Sequence, residues 1–194
     1  MERQALIELV KVKLDELSPF DDGSDHPIDK YLDPLLDRAA EQVLREAPLG
    51  LLRHDIIQLT TSNSVLSDSV VTITIPDSVL RVVSVNLPGW VRPITVIHPE
   101  GSSEDAIQRL SITRSKPSRP TVVSGQNDGK RVLRCYTHSS PVTNGFLKAI
   151  NYKKAEALNE ELKEALVSLT AFLFCLTVSK DGKMFYDQYQ NSIK

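Results

Sequence analysis

The hydrophobic period changes twice along this chain, and the double change restricts the folds open to it. Leu6, Leu9, Val10, Leu14 and Leu17 recur at helical spacing, with Glu8, Lys11, Lys13 and Asp15 between them. The same period returns far downstream in Leu158, Leu162, Leu166, Leu169, Leu173 and Leu176. Between the two lies Val70-Val71-Thr72-Ile73-Thr74-Ile75, β-branched throughout, which suits a pleated, half-buried strand and not a helix. Helices thus flank a β-rich middle.

Local signals refine that outline. Ser18-Pro19 ends the first helix, and residues 20–25 form an acidic, turn-rich loop. Asp25 is positioned to cap a short turn from Pro27. Asp33 is positioned to cap a second helix with Pro34 at its first residue, where proline is tolerated. Leu35, Leu36, Ala39, Ala40, Val43 and Leu44 supply its apolar face, and Pro48 and Gly50 stop it. Strands are predicted at 70–75, 79–87, 90–96, 121–123, 132–136 and 145–152, with Pro93 favouring an edge position for the third. Turns are predicted at 76–77, 88–89, 98–101, 125–129 and 139–141, and Ser103 with Glu104 and Asp105 starts a short helix through Leu110. The fold expected is α+β. Residues 1–56 and 153–194 pack as a helical bundle around Leu9, Leu36, Val43, Leu162, Leu166, Leu169 and Leu173. Residues 57–152 form an inserted antiparallel β domain, a sandwich or small barrel.

Several function classes find no support. With 41% hydrophobic and 25% charged residues the chain is ordinary globular material, not a disordered tail. Its net charge of −2 argues against a generic nucleic-acid binder. Cys135 and Cys175 cannot by themselves form a disulfide framework or a four-ligand zinc site. The longest apolar segment, 165–178, falls short of the roughly 20 residues of a membrane span, and the N-terminus lacks an export signal. A soluble intracellular protein is expected. His26, His54, His98 and His138 share no ligand spacing, and no phosphate-cradling glycine motif or nucleophile elbow occurs. No metal, cofactor or enzymatic role is expected.

Three features remain as candidate interaction sites. Arg109, Arg114, Lys116, Arg119, Lys130, Arg131 and Arg134 face a single acid, Asp128, over residues 109–134, a local charge of +6. Residues 1–50 carry twelve acids and six bases, or −6. The basic stretch either contacts an acidic surface or nucleic-acid backbone, or is a solvated loop and strand face; copies can also meet basic face to acidic face. Trp90 is the single tryptophan. It is expected to anchor the β domain or its contact with a neighbouring subunit, the alternative being a partly exposed loop residue. After Lys180-Asp181-Gly182-Lys183 breaks the last helix, Met184, Phe185, Tyr186, Tyr189 and Ile193 gather apolar and aromatic groups. That segment either meets a partner surface or folds back on the chain's own helices.

The order of elements resembles that of the head-to-tail adaptor, or connector ring, proteins of tailed phages, most closely those of short-tailed phages. Three stretches carry the likeness. Leu32-Asp33-Pro34-Leu35-Leu36-Asp37-Arg38-Ala39-Ala40-Glu41-Gln42-Val43-Leu44-Arg45-Glu46-Ala47-Pro48 looks like the adaptor's long second helix ending in Ala-Pro. Ile75-Pro76-Asp77 through Trp90-Val91-Arg92-Pro93 is similar to the family's proline-acid turn, strand, and tryptophan near an arginine-proline. The C-terminal helix followed by Phe185-Tyr186-Asp187-Gln188-Tyr189 is similar to the helix and tail by which such proteins dock. The resemblance implies a non-enzymatic structural virion protein, assembled in the host cytoplasm. Its copies would form a ring, commonly twelvefold, between the portal protein and further tail or ring proteins. DNA would pass through the channel without sequence-specific contacts, and no membrane is involved. It also favours docking on the portal or an adjacent subunit, with Phe185, Tyr186 and Tyr189 as anchors. The alternative is a small nucleic-acid-binding module using 109–134, for which aromatics interleaved with the bases are expected; Tyr136 alone lies close by.

Overall fold

The computed structural model describes residues 2–15, 28–110, 113–114, 118–136, 142 and 144–194. Expectations for Leu17, for the acidic loop with its Asp25 cap and Pro27, for Lys116, for His26 and His138, and for the turn at 139–141 lie outside the described residues. Among the described residues the chain is α+β. In chain order the helices are α1 (Arg3–Asp15), α2 (Asp29–Glu46), α3 (Ser103–Arg109), α4 (Lys163–Thr177) and α5 (Lys183–Ser192). The strands are β1 (Asp55–Leu59), β2 (Ser64–Ser67), β3 (Val70–Thr74), β4 (Val79–Asn86), β5 (Ile97–Pro99), β6 (Thr121–Asn127), β7 (Lys130–Tyr136) and β8 (Gly145–Asn151). Two compact units result: Met1–Arg53 with Tyr152–Lys194, and His54–Asn151.

In the first unit α4 touches α1, α2 and α5. It is buried almost all round, from Ala165 to Cys175 apart from Phe172, as expected of a helix whose charged residues, Lys163 and Glu164, are confined to its first turn. The predicted helix at 158–178 starts later than expected. Asn159 is extended and donates its side-chain amide to the Leu51 carbonyl at 2.9 Å, so Ala155–Ala157 and Glu160–Leu162 form separate single turns ahead of α4. Leu158 and Leu162 are nevertheless buried.

Two expectations for the N-terminal helices are corrected. The buried stripe of α1 is Leu6, Ile7, Val10 and Leu14, while Leu9, assigned to the core, is 43% exposed. At 100° per residue Leu9 lies about 115° round from the centre of that stripe. Helix α2 begins at Asp29, so Asp33 does not cap it and Pro34 lies inside it. The acceptor deprived of a donor by Pro34 belongs to exposed Lys30, where water can replace the lost bond. Asp33 instead takes an ion pair. Arg3 donates to the Asp33 carboxylate at 2.5 Å, to both oxygens of Asp37 at 3.1 Å and to Glu156 at 3.1 Å, joining three segments of the unit. The bonds to Asp37 and then Asp33 raise the Arg3 pKa above its ordinary value.

The second unit holds a three-stranded sheet, β1-β8-β4, and a five-stranded sheet, β2-β3-β7-β6-β5. Their apolar residues form one shared core that includes Leu59, Val71, Ile73, Val85, Val122, Leu133, Cys135 and Leu147. Two-residue turns at Asp68-Ser69 and Asp128-Gly129 have positive φ at both positions, the backbone that matches hairpin twist. The expected purely antiparallel arrangement is corrected, because β5 runs parallel to β6. The predicted strand at 90–96 does not form. Gly89 turns at φ +84°, Pro93 lacks a donor, and Ile94 alone exchanges hydrogen bonds with Val85, at 2.9 and 2.8 Å. Part of the turn expected at 98–101 is strand β5. No helix among the described residues is long and apolar enough to cross a membrane.

Candidate functional site

The basic stretch is dispersed by the fold. Arg109 and Arg134 point at acids outside the stretch: Arg109 donates to Asp105 at 2.7 Å, and Arg134 to Glu100 at 2.8 Å. Arg114 donates to the carbonyls of Gln108 at 3.2 Å and Asp68 at 2.6 Å, and Arg131 to those of Val79 and Pro76. Four of the six described bases are therefore engaged within the unit. Arg119 and Lys130 are exposed.

Glu100, Asp105, Arg109, Arg134 and Tyr136 make a polar cluster not foreseen as such from the sequence. Ser102 caps α3 by accepting from the Asp105 amide at 3.2 Å, the preferred serine role at a helix start. That cap turns the Asp105 side chain inward, where it is 1% exposed. It accepts from the Gly101 amide at 3.0 Å, from Arg109 at 2.7 Å and from the Tyr136 hydroxyl at a long 3.5 Å. Burial works to raise its pKa, but the Gly101 amide and Arg109 outweigh burial and hold the carboxyl below its usual range. Burial, with the Asp105 charge next, pushes the Tyr136 hydroxyl up. The Arg134 guanidinium holds the Glu100 carboxyl down. Glu100 has room because residue 125 is glycine: a Cβ there would stand 2.6 Å from its Oε2. The signal in the sequence was the Ser-x-x-Asp cap with Arg109 four residues after Asp105 on the same helix; Arg134 and Tyr136 come from β7, far along the chain. Chemically the cluster is a clamp. Its carboxylates are saturated by cations and amides, so it fastens β5 and α3 to the face of β6 and β7.

The C-terminal segment divides by face. Phe185 and Tyr189 are fully buried in the helical unit, and the Tyr189 hydroxyl donates to Glu46 at 2.6 Å. Burial and then this bond push the Tyr189 hydroxyl pKa up. The exposure expected of Phe185 and Tyr189 as docking anchors is therefore corrected: residues four apart share one helix face, and that face turns inward. Met184 at 41% and Tyr186 at 38% exposure lie on the outer side, and Ile193 is partly buried. The Tyr186 ring stands 5.0 Å from that of Phe172 and 6.1 Å from that of Tyr189. Leu176 and Val178, near the end of α4, are also exposed. On the same unit, Leu9, Val12 and Val167 line a groove of about 360 Å³ edged by Lys13, Lys163, Glu160 and Glu164.

Trp90 belongs to the core of the β unit at 8% exposure, packed in the cluster that both sheets share. Two residues on, Arg92 borders a surface cleft of about 480 Å³ that Arg119 also lines. Cys135 is buried in that same core and burial pushes its thiol pKa up; Cys175 is likewise buried, in the helical unit. Among the described residues no group of three or more His, Cys, Asp or Glu side chains is arranged to hold a metal ion.

No family model matches the chain, and no curated protein matches it in sequence.

Proposed function

We propose that this chain is a structural virion protein, a non-enzymatic head-to-tail adaptor whose copies form a ring between the portal protein and the tail around the DNA channel. The observation that carries the reading is the division of the chain. The N-terminal and C-terminal segments share one compact helical unit, and the β-rich middle is a second unit inserted between them. That is the element order on which the resemblance to tailed-phage adaptors rests. In this reading the helices of both segments act as one bundle, the part that meets the portal.

A closed ring requires two different faces on each subunit. The helical unit offers exposed large apolar side chains, Met184 and Tyr186 on opposite flanks of α5 and Leu176 and Val178 near the end of α4, and the groove lined by Leu9, Val12 and Val167. Large apolar side chains left in water are the usual material of interfaces. The copies, commonly twelve, would contact further tail or ring proteins on the side away from the portal, and assembly would occur in the host cytoplasm.

Native mass measurement of the full chain, alone and mixed with its portal partner, tests the reading. A ring of fixed stoichiometry formed on the portal is the expected result. Replacing Met184 and Tyr186 together by serine should leave a folded chain that no longer joins the ring. A chain that stays monomeric with the portal, and is missing from purified particles, overturns the proposal.

A further inference from the structure

The β unit contains seven arginines, and the structure engages most of them. Arg109 and Arg134 meet carboxylates, Arg114 and Arg131 meet backbone carbonyls, and Arg81 is also engaged. Arg92 and Arg119 are the two for which no carboxylate or carbonyl partner is found among the described residues. These two line the same cleft, with Val91, Ile94, Ser118 and Pro120. A second cavity of about 280 Å³ shares Arg92, Ile94 and Pro120, and no acid lines either cavity among the described residues.

The two arginines occupy matching local settings. Each precedes a proline, in Arg92-Pro93 and Arg119-Pro120, and a residue before proline is held to extended backbone. Arg92 sits between two fixed points, buried Trp90 and Ile94 with its hydrogen bonds to Val85. Arg119 lies two residues ahead of Thr121, where β6 begins. Two arginines on constrained backbone thus line one open cleft together with Ser118. Like charges placed together without a counter-charge repel, and an oxyanion between them reverses the sign of that term. The guanidinium fork matches phosphate geometry.

We propose that this cleft is a phosphate site in which Arg92 and Arg119 grip a phosphodiester of a nucleic-acid backbone. The prolines favour this source over free phosphate. A closed cradle for a free anion is built from backbone N–H groups, and Pro93 and Pro120 remove the amide that follows each arginine. What is left is an exposed side-chain grip, the kind that positions a backbone without reading bases. The inference concerns one unassembled chain, so it stands or falls apart from the ring reading.

The test is fluorescence anisotropy of a labelled short duplex DNA titrated with the full chain at several salt concentrations. Wild type is compared with Arg92→Gln/Arg119→Gln and with Lys130→Ala, an exposed base of the same stretch outside the cleft. Circular dichroism checks that each variant is folded. The double variant should bind at least about tenfold more weakly at low salt, with the slope of log K against log salt reduced by about 2, whereas Lys130→Ala stays within about twofold of wild type. Two unrelated duplex sequences should bind alike. Inorganic phosphate at millimolar concentration, added with ionic strength held constant, should not displace the DNA; displacement would assign the cleft to the free anion and overturn the phosphodiester proposal. Equal losses in the double variant and Lys130→Ala, or no measurable binding by wild type, would also overturn it.

Discussion

The Tyr189 hydroxyl donates to the Glu46 carboxylate at 2.6 Å across 143 residues of sequence, tying α5 to the end of α2. Tyr189→Phe keeps the buried ring and removes that bond. Glu46 is exposed and regains water, so the variant should lose about 1–2 kcal/mol of stability by urea denaturation. Its pH dependence has a definite sign. Burial and Glu46 raise the folded-state pKa of Tyr189, so the stabilisation is complete below the unfolded value of about 10 and fades as pH rises above it. Tyr189→Phe should flatten that alkaline decline. An identical decline in wild type and variant would show that Tyr189 does not cause it.

Asp105 carries the opposite sign. Its folded-state pKa is held below the unfolded value, so its contribution is present above about pH 4 and is lost as the pH falls. Asp105→Ala leaves the Gly101 amide and the Tyr136 hydroxyl without their acceptor, and should cost about 1–3 kcal/mol at neutral pH. The difference between wild type and variant should shrink in acid. A thermal-melt series from neutral to acid pH reads both.

At the α4–α5 junction a serine and a glycine occupy instructive places. Ser179 adopts φ +56°, with the Lys180 amide bonded to the Cys175 carbonyl at 2.8 Å and the Ser179 amide to that of Leu176 at 3.3 Å, a Schellman end with serine where glycine is usual. Ser179→Gly should therefore stabilise by about 0.5–1 kcal/mol. Gly182 has an ordinary φ of −107° but sits close to α4: a Cβ would stand 2.9 Å from that of Cys175 and 3.0 Å from Phe172 Cδ2. Gly182→Ala should destabilise by about 1–3 kcal/mol through overpacking. Calorimetric melting temperatures that move in opposite directions are the expected result.

Leu166 and Leu9 distinguish the helical core from its surface. Leu166 is fully buried in α4, and Leu166→Ala should cost about 2–5 kcal/mol. Leu9→Ala, at 43% exposure, should change stability by less than about 1 kcal/mol. Equal shifts in chemical denaturation would contradict the burial described for α1.

Removing residues 184–194 takes Phe185 and Tyr189 out of the buried interior along with exposed Met184 and Tyr186. The truncated chain should be severely destabilised, since losing one buried aromatic side chain costs about 3–5 kcal/mol. Loss of the cooperative thermal transition would show it.

Local periodicity made the element types legible. The leucines of α4, the β-branched run of β3 and the Asp128-Gly129 turn each act over a few residues, so their signal survives in one dimension. The i,i+4 pair Phe185 and Tyr189 also signalled a shared face, but which way that face turns depends on packing against α4, just before it, and on the contact of Tyr189 with Glu46 of α2, remote in sequence. Strand β1 has a short and weak pattern; pairing Asp55 with Ala149 is what makes it a strand. The charge count over 109–134 was correct, yet the partners that neutralise Arg109 and Arg134, Asp105 and Glu100, fall outside that window. Asp33 looked like a helix cap and became an ion-pair partner once Arg3 was brought beside it. Composition and spacing determine which segments coil and which extend, because those preferences are properties of short stretches. Tertiary structure decided which charges meet, which aromatic face is buried and which two arginines share a cleft, because distance in space is set by the packing of residues far apart in the chain.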